Sequence, residues 1–270
     1  MAVLDRILAT KRDEVTMLRR PETRDLLRGR ALDAAPTRDF TAALRRADGH
    51  PGLIAEIKRR SPSKGDLAVD LDPARVATAY EAGGATALSV LTDAPYFGGS
   101  IADLEAARGA VAIPVLRKDF TIDEIQIYEA RAVGADAILL ILAAISDDAL
   151  VRDLSDLAHG LGMGVLVEAH NEAEVVRGVA LGSRVLGVNA RNLGTFVEDL
   201  DGAAALISHI PPATIAVAES AIRTAEDAAR MAGVGFDALL VGEALVRSHD
   251  PRTLAAALVA PLVTARQEVP

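Results

Sequence analysis

The chain has 270 residues, half of them hydrophobic and a quarter charged, with a formal net charge of −9 and no cysteine. This length suits one large domain, and the acidic balance argues against nucleic acid or an anionic membrane as a main partner, since both demand basic patches. The lack of cysteine excludes disulfides, thiolate metal sites and a cysteine nucleophile, and it fits the cytoplasm.

From the N-terminus, Leu4, Ile7, Leu8, Val15 and Leu18 recur at helical spacing with charges on the other face, and Pro21 ends that helix. Charges interrupt Met1–Arg20, so no export signal is expected. A polar stretch follows, then a short helix in Arg38–Leu44 with Asp39 as its cap. Residues 1–50 hold too few apolar side chains for a core of their own, and are read as a helical extension packed on the remainder.

Residues 51–270 repeat one unit: a short apolar strand, a polar or glycine-containing loop, and an amphipathic helix. Strands are expected at Leu53–Ile57, Ala85–Leu91, Ile113–Arg117, Ala137–Leu142, Gly164–Val167, Arg184–Val188, Thr214–Ala218 and Ala238–Val241. Helices are expected at Pro73–Ala82, Ile101–Arg108, Asp123–Val133, Asp147–Leu161, Glu172–Leu181, Leu200–Ile207, Ala225–Met231 and Pro251–Leu262. Eight such units favour a closed (β/α)8 barrel within a single structural domain. An open doubly wound sheet is the alternative, and no Gly-x-Gly-x-x-Gly follows the first strand to support it. The longest apolar runs, Ala137–Ile145 and Leu254–Ala265, fall short of a membrane span of about 20 residues.

In such a barrel the C-terminal strand ends line one mouth, where active sites lie. Here the first strand presents Glu56 and Lys58, two residues apart and therefore on one face. The third ends at Lys118, the fifth at Glu168, the sixth at Asn189 and Arg191, and the seventh at Glu219 and Ser220. A lysine among carboxylates stays protonated and can donate to a developing oxyanion, so acid–base chemistry is expected. A salt-bridge ring that merely closes the barrel top is the bland counterpart. The loops after strands seven and eight, with Ser220, Ala221, Gly242 and Glu243, match the place where barrels of this kind bind phosphate. Gly242 alone is also compatible with a simple tight turn. The histidines show no metal-ligand spacing and are read mostly as surface residues; His170, just beyond Glu168, is given no role.

These residues sit in longer motifs. They are Ile54–Ser63, Leu88–Asp93 with Tyr96–Gly99, Pro114–Phe120, Val167–Glu168, Gly187–Leu193, Ala218–Ser220 and Leu240–Glu243. Together they resemble the indole-3-glycerol phosphate synthase family, motif by motif and in order along the barrel. The resemblance implies ring closure of 1-(2-carboxyphenylamino)-1-deoxyribulose 5-phosphate with loss of carbon dioxide and water. It implies Lys118 as general acid, Lys58 on the substrate carboxylate, and Glu168 in the later dehydration. Glu56, Glu219, Asn189 and Arg191 would position these groups, and Ser61, Ala221, Gly242 and Glu243 would surround the phosphate. Phe97 and Phe120 would wall the aromatic ring.

The resemblance implies no metal, nucleotide or redox cofactor, and the partner it implies is a small molecule carrying phosphate and carboxylate; a monomer is compatible with the sequence, which leaves the oligomeric state open. The family often carries glycine where Ala221 stands, so a positive φ there would strain this chain. Ala190 replaces a common asparagine. The rival readings are another phosphosugar barrel enzyme and a non-catalytic phosphate-ligand-binding barrel. A Schiff-base aldolase wants a lysine where the sixth strand offers Asn189, and the pathway's isomerase wants a cysteine. A barrel that had lost catalysis would lack the acid.

Overall fold

The computed structural model describes residues 3–45, 48–192 and 194–266. Eight parallel strands close into a barrel in sequence order: β1 Gly52–Ile57, β2 Ala87–Leu91, β3 Val115–Lys118, β4 Ala137–Ile141, β5 Gly164–Ala169, β6 Val185–Asn189, β7 Ile215–Glu219 and β8 Ala238–Val241. Closure is made by β8 against β1, with Ala238 opposite Gly52 and Val241 opposite Ala55. Side chains alternate between two cores, as the pleat requires. Ile54, Leu116, Leu139, Leu166, Val217 and Leu240 fill the barrel interior. Leu53, Leu88, Leu140, Val167 and Leu239 face the surrounding helices.

Those helices are numbered after the three that precede the barrel: α1 Val3–Leu18, α2 Pro21–Asp33 and α3 Phe40–Leu44. They run α4 Pro73–Ala82, α5 Ala94–Phe97, α6 Ile101–Ala110, α7 Glu124–Ala132, α8 Asp148–Gly160, α9 Glu172–Ala180, α10 Leu200–Ala205, α11 Ala225–Val234, α12 Glu243–Arg247 and α13 Pro251–Leu258. Most open on a side chain that accepts from the first free backbone N–H groups: Asp72, Ser100, Asp123, Asp147, Asn171, Thr224 and Asp250 all do so. The same chemistry ends most of the loops, which is why the βα pattern reads so regularly from sequence.

Four expectations need correction. Pro21 does not simply end a helix; it opens α2 at the first position, where a missing N–H costs nothing. The stretch expected at Leu200–Ile207 divides into α10 and a 3-10 turn, Leu206–His209. The last helix stops at Leu258, before Pro261 forbids its continuation. The loop after β1 is not wholly irregular, because Arg60–Ser61 pairs antiparallel with Gly65–Asp66.

The N-terminal helices clasp the barrel. Phe40 and Leu44 of α3, which is capped by Asp39 as expected, are buried with the interior residues. Helix α2 lies along α7. Helix α1 carries Ile7 and Leu8 into the same inner cluster. Its Lys11, read from sequence as part of a solvated face, is 2% exposed. The ammonium lies 3.0 Å from Asp93, 2.9 Å from Asp119 and 2.8 Å from Glu14. Burial works against this charge and the surrounding carboxylates outweigh it, so Lys11 holds its proton more firmly than a free lysine.

Candidate active site

The alternation that builds the barrel also builds its mouth. On β1 it turns Glu56 inward, and Lys58 beyond the strand end folds back to ion-pair with it. On β3 it sends Lys118 inward, while Arg117 points the other way to Thr92, Asp119 and Glu129. Glu168 and Glu219 end the inward rows of β5 and β7, opposite Ile141 and Asn189 in register.

One cavity of about 1040 Å3, counted out to its open mouth, receives all of these groups. Every residue singled out from sequence lines it: Glu56, Lys58, Ser61, Phe97, Lys118, Phe120, Glu168, Asn189, Arg191, Glu219, Ser220, Ala221, Gly242 and Glu243. Leu193, the last residue of the sixth-strand motif, lies outside the described residues. The Phe97 and Phe120 rings stand 6.1 Å apart at 40°, forming an apolar wall. Helix α1 adds Val3, Leu4 and Ile7 to that side. Sequence reasoning missed these three, along with Glu198 and Arg223. Glu198 joins Arg191 and Arg223 in ion pairs across the mouth, and Arg191 also donates to Ser63 Oγ at 2.9 Å. Neither loop position carries a periodic signal that would have revealed the pairing.

The electrostatics at the closed end are concentrated. Lys118 Nζ lies 3.4 Å from Glu168 Oε2. Burial disfavours the charge on Lys118, but Glu168, Glu219 and Glu56 outweigh it and raise its proton affinity. Burial would push the Glu168 carboxyl up, and Lys118 with His170 instead holds it well below the usual range. Glu219 goes the opposite way: burial first, then the charge of Glu168, keeps it protonated well above an ordinary carboxyl. Two neighbouring acids are thereby driven apart, one an anion and one a proton carrier, the arrangement that acid–base catalysis uses.

Two glycines make room for these acids. A Cβ on Gly187 would lie 1.9 Å from Glu219 Oε1, and one on Gly242 only 2.3 Å from Glu56 Oε1. Gly242 has φ −122°, so a turn requiring positive φ is not its reason; its empty side is filled by Glu56. Ser220 and Ala221, by contrast, do sit in the left-handed region, at φ 65° and 59°. The strain that Ala221 would bring at a positive φ is therefore present. His170, read as a residue without a role, has a largely buried ring between Glu168 and Glu174.

Fold and cavity define a (β/α)8-barrel enzyme with acid–base groups at its C-terminal mouth. The family model for indole-3-glycerol phosphate synthase matches residues 4–258, and the chain belongs to that family. An indole-3-glycerol phosphate synthase of Paenarthrobacter aurescens is 50% identical over 259 residues, covering 93% of each chain. One from Albidiferax ferrireducens is 47% identical over 96% of this chain and 98% of its own. Among solved structures, a 3-hexulose-6-phosphate synthase superposes with a TM-score of 0.62 at 19% identity. It covers 78% of this chain and 100% of its own, a likeness of fold alone. The activity is accordingly that of a decarboxylating lyase of tryptophan biosynthesis, acting on a phosphorylated small molecule.

Proposed function

We propose that Lys118 is the general acid of indole ring closure, with Lys58 and Glu168 as the other catalytic groups. The observation that carries this reading is a part-buried ammonium, Lys118, set among carboxylates in an aromatic-walled cavity. Donating its proton to the substrate's carbonyl oxygen as the aromatic carbon attacks would relieve developing negative charge where water is scarce. Lys58, held by Glu56, meets the carboxylate that leaves as carbon dioxide. Glu168, kept ionised, then takes the ring proton lost in the dehydration, protonated Glu219 gives the departing hydroxyl the proton with which it leaves as water, and Asn189 holds the intermediate's remaining hydroxyl groups.

The phosphate end of the substrate is assigned to Ser61 Oγ and to backbone N–H groups around Ser220, Ala221, Gly242 and Glu243, with Arg191 close by. Phe97 and Phe120 take the anthranilate-derived ring. We read residues 1–50 as an extension of one structural domain that completes the cavity wall, the chain as a monomer, and its compartment as the cytoplasm. Among the described residues, no helix is long and apolar enough to cross a membrane.

The test follows indole-3-glycerol phosphate formation by fluorescence for the parent and for Lys118→Ala. Turnover by the parent and a fall of about 10²–10⁴-fold in kcat for the variant is the expected result. Equal rates would remove Lys118 from the role of acid.

A further inference from the structure

Among the described residues, His170, one residue beyond the end of β5, is the histidine whose ring meets the cavity carboxylate Glu168. Its Nε2 lies 3.1 Å from Glu168 Oε1, and its Nδ1 lies 3.1 Å from Glu174 Oε2. Glu174 is itself fixed from three sides. It accepts the His170 backbone N–H at 2.9 Å and the Asn171 amide at 2.7 Å, and its own N–H donates to Asn171 Oδ1 at 3.0 Å. Asn171 is the N-cap of α9 and Glu174 its third residue, so the Glu174 side chain is tied to the residue that caps the helix. A chain of contacts thus runs from the start of α9 through Glu174 and His170 to the carboxylate that lines the cavity. The opposite face of His170 borders a side cleft with Asn189, Thr195 and Asp199.

We propose that His170 is a positioning residue, an imidazolium that bridges Glu168 to Glu174 and so fixes and keeps ionised the carboxylate facing the substrate. Nδ1 is in hydrogen-bond geometry with Glu174 Oε2, and Nε2 lies at ion-pair distance from Glu168 Oε1 without a hydrogen bond of its own among the described residues, so a ring protonated on both nitrogens suits the two acids it stands between. The charged groups acting on the pair are Glu168 on β5, Glu174 on α9, Lys118 on β3 and Glu219 on β7. Burial opposes the imidazolium, yet Glu168 and Glu174 hold its proton up to about 10. With His170 charged, Glu168 and Glu219 remain unlike partners; without it, Glu168 loses the second cation that keeps it an anion.

This inference rests on the role given to Glu168 above, and the experiment separates the two. His170→Ala, His170→Gln and Glu168→Gln are compared with the parent by kcat and KM across pH. His170→Ala is expected to lower kcat by up to about 10²-fold with KM near the parent's. The acid limb of its kcat profile should move up by about one pH unit, because a carboxylate deprived of a nearby cation binds its proton more tightly. His170→Gln, which returns an N–H donor without charge, should recover part of kcat and keep the displaced limb. A parent-like acid limb in both His170 variants, with Glu168→Gln inactive, overturns the inference alone. Full activity in Glu168→Gln overturns the role of Glu168 itself. Nitrogen-15 spectra of the parent give an answer independent of variant folding: a His170 ring protonated at pH 7.5 supports the bridge, and a neutral ring refutes it.

Discussion

Lys11 and Lys118 each sit among carboxylates, and they differ in how completely they are enclosed and paired. Lys11 has three carboxylate oxygens within 3.0 Å of its ammonium. The acids it meets are occupied on their other sides: Asp93 accepts the backbone N–H groups of Tyr96 and Phe97, and Asp119 accepts from Thr92 and from the Phe120 backbone N–H. Lys118 has one carboxylate oxygen in ion-pair range, at 3.4 Å, and the neighbouring Glu219 Oε1 has no hydrogen-bond partner among the described residues. The first cluster is closed and joins α1 to the ends of β2 and β3. The second opens onto a cavity, with charge that a substrate must complete. Saturated pairing is what a fastening needs; incomplete pairing leaves donors and acceptors for chemistry.

Replacing each lysine by methionine should break this contrast if it is wrong. Lys118→Met is expected to abolish most turnover, by about 10²–10⁴-fold in kcat, while urea denaturation finds little lost stability. Lys11→Met leaves Asp93 without its cation and Asp119 with Arg117 alone, and is expected to cost about 3–5 kcal/mol in the same denaturation experiment. Its kcat per folded molecule should change far less than that of Lys118→Met.

A smaller effect tests the strain within the open cluster. Glu219 binds its proton more tightly in the folded than in the unfolded chain, so its favourable contribution is complete below about pH 4.5 and is lost as pH rises through its folded value. Glu219→Gln, a fixed mimic of the protonated acid, should therefore gain stability over the parent as pH is raised above 4.5, and lose activity. Asp119 in the closed cluster has the reverse sign: its proton affinity is lowered, so its contribution holds above about pH 3.8 and disappears as acid protonates it. Thermal melts of Asp119→Asn and the parent should converge in acid and separate toward neutrality. The smallest effect belongs to Ala221→Gly, which relieves a left-handed alanine but loosens the unfolded chain; Tm should move by a few degrees at most.

Much of this was legible in the residues. Strand starts were found to within two residues because parallel strands buried on both faces are continuous apolar runs, and capping side chains mark the helix starts. The grouping of Glu56, Lys58, Lys118, Glu168 and Glu219 followed from where polar groups interrupt those runs. Long-range pairing was not legible. Lys11 looks like any charged residue of an amphipathic helix until Asp93 and Asp119, more than 80 positions away, are folded beneath it. Glu198 and Arg223 meet across two loops, where no period applies. His170 did carry a signal, the Asn171–Glu174 cap that follows it, but a helix cap tells nothing of which ring it will orient.

Gly187 and Gly242 define complementary volumes: each is the hollow into which an acid of the neighbouring strand projects. Size at these positions is therefore coupled across the barrel wall rather than along the chain. A descendant that discarded Glu219 could fill position 187, and one that discarded Glu56 could fill position 242. Reacquiring either acid would first require emptying its mould, so loss of this chemistry, once the glycine is replaced, becomes a ratchet of two substitutions instead of one.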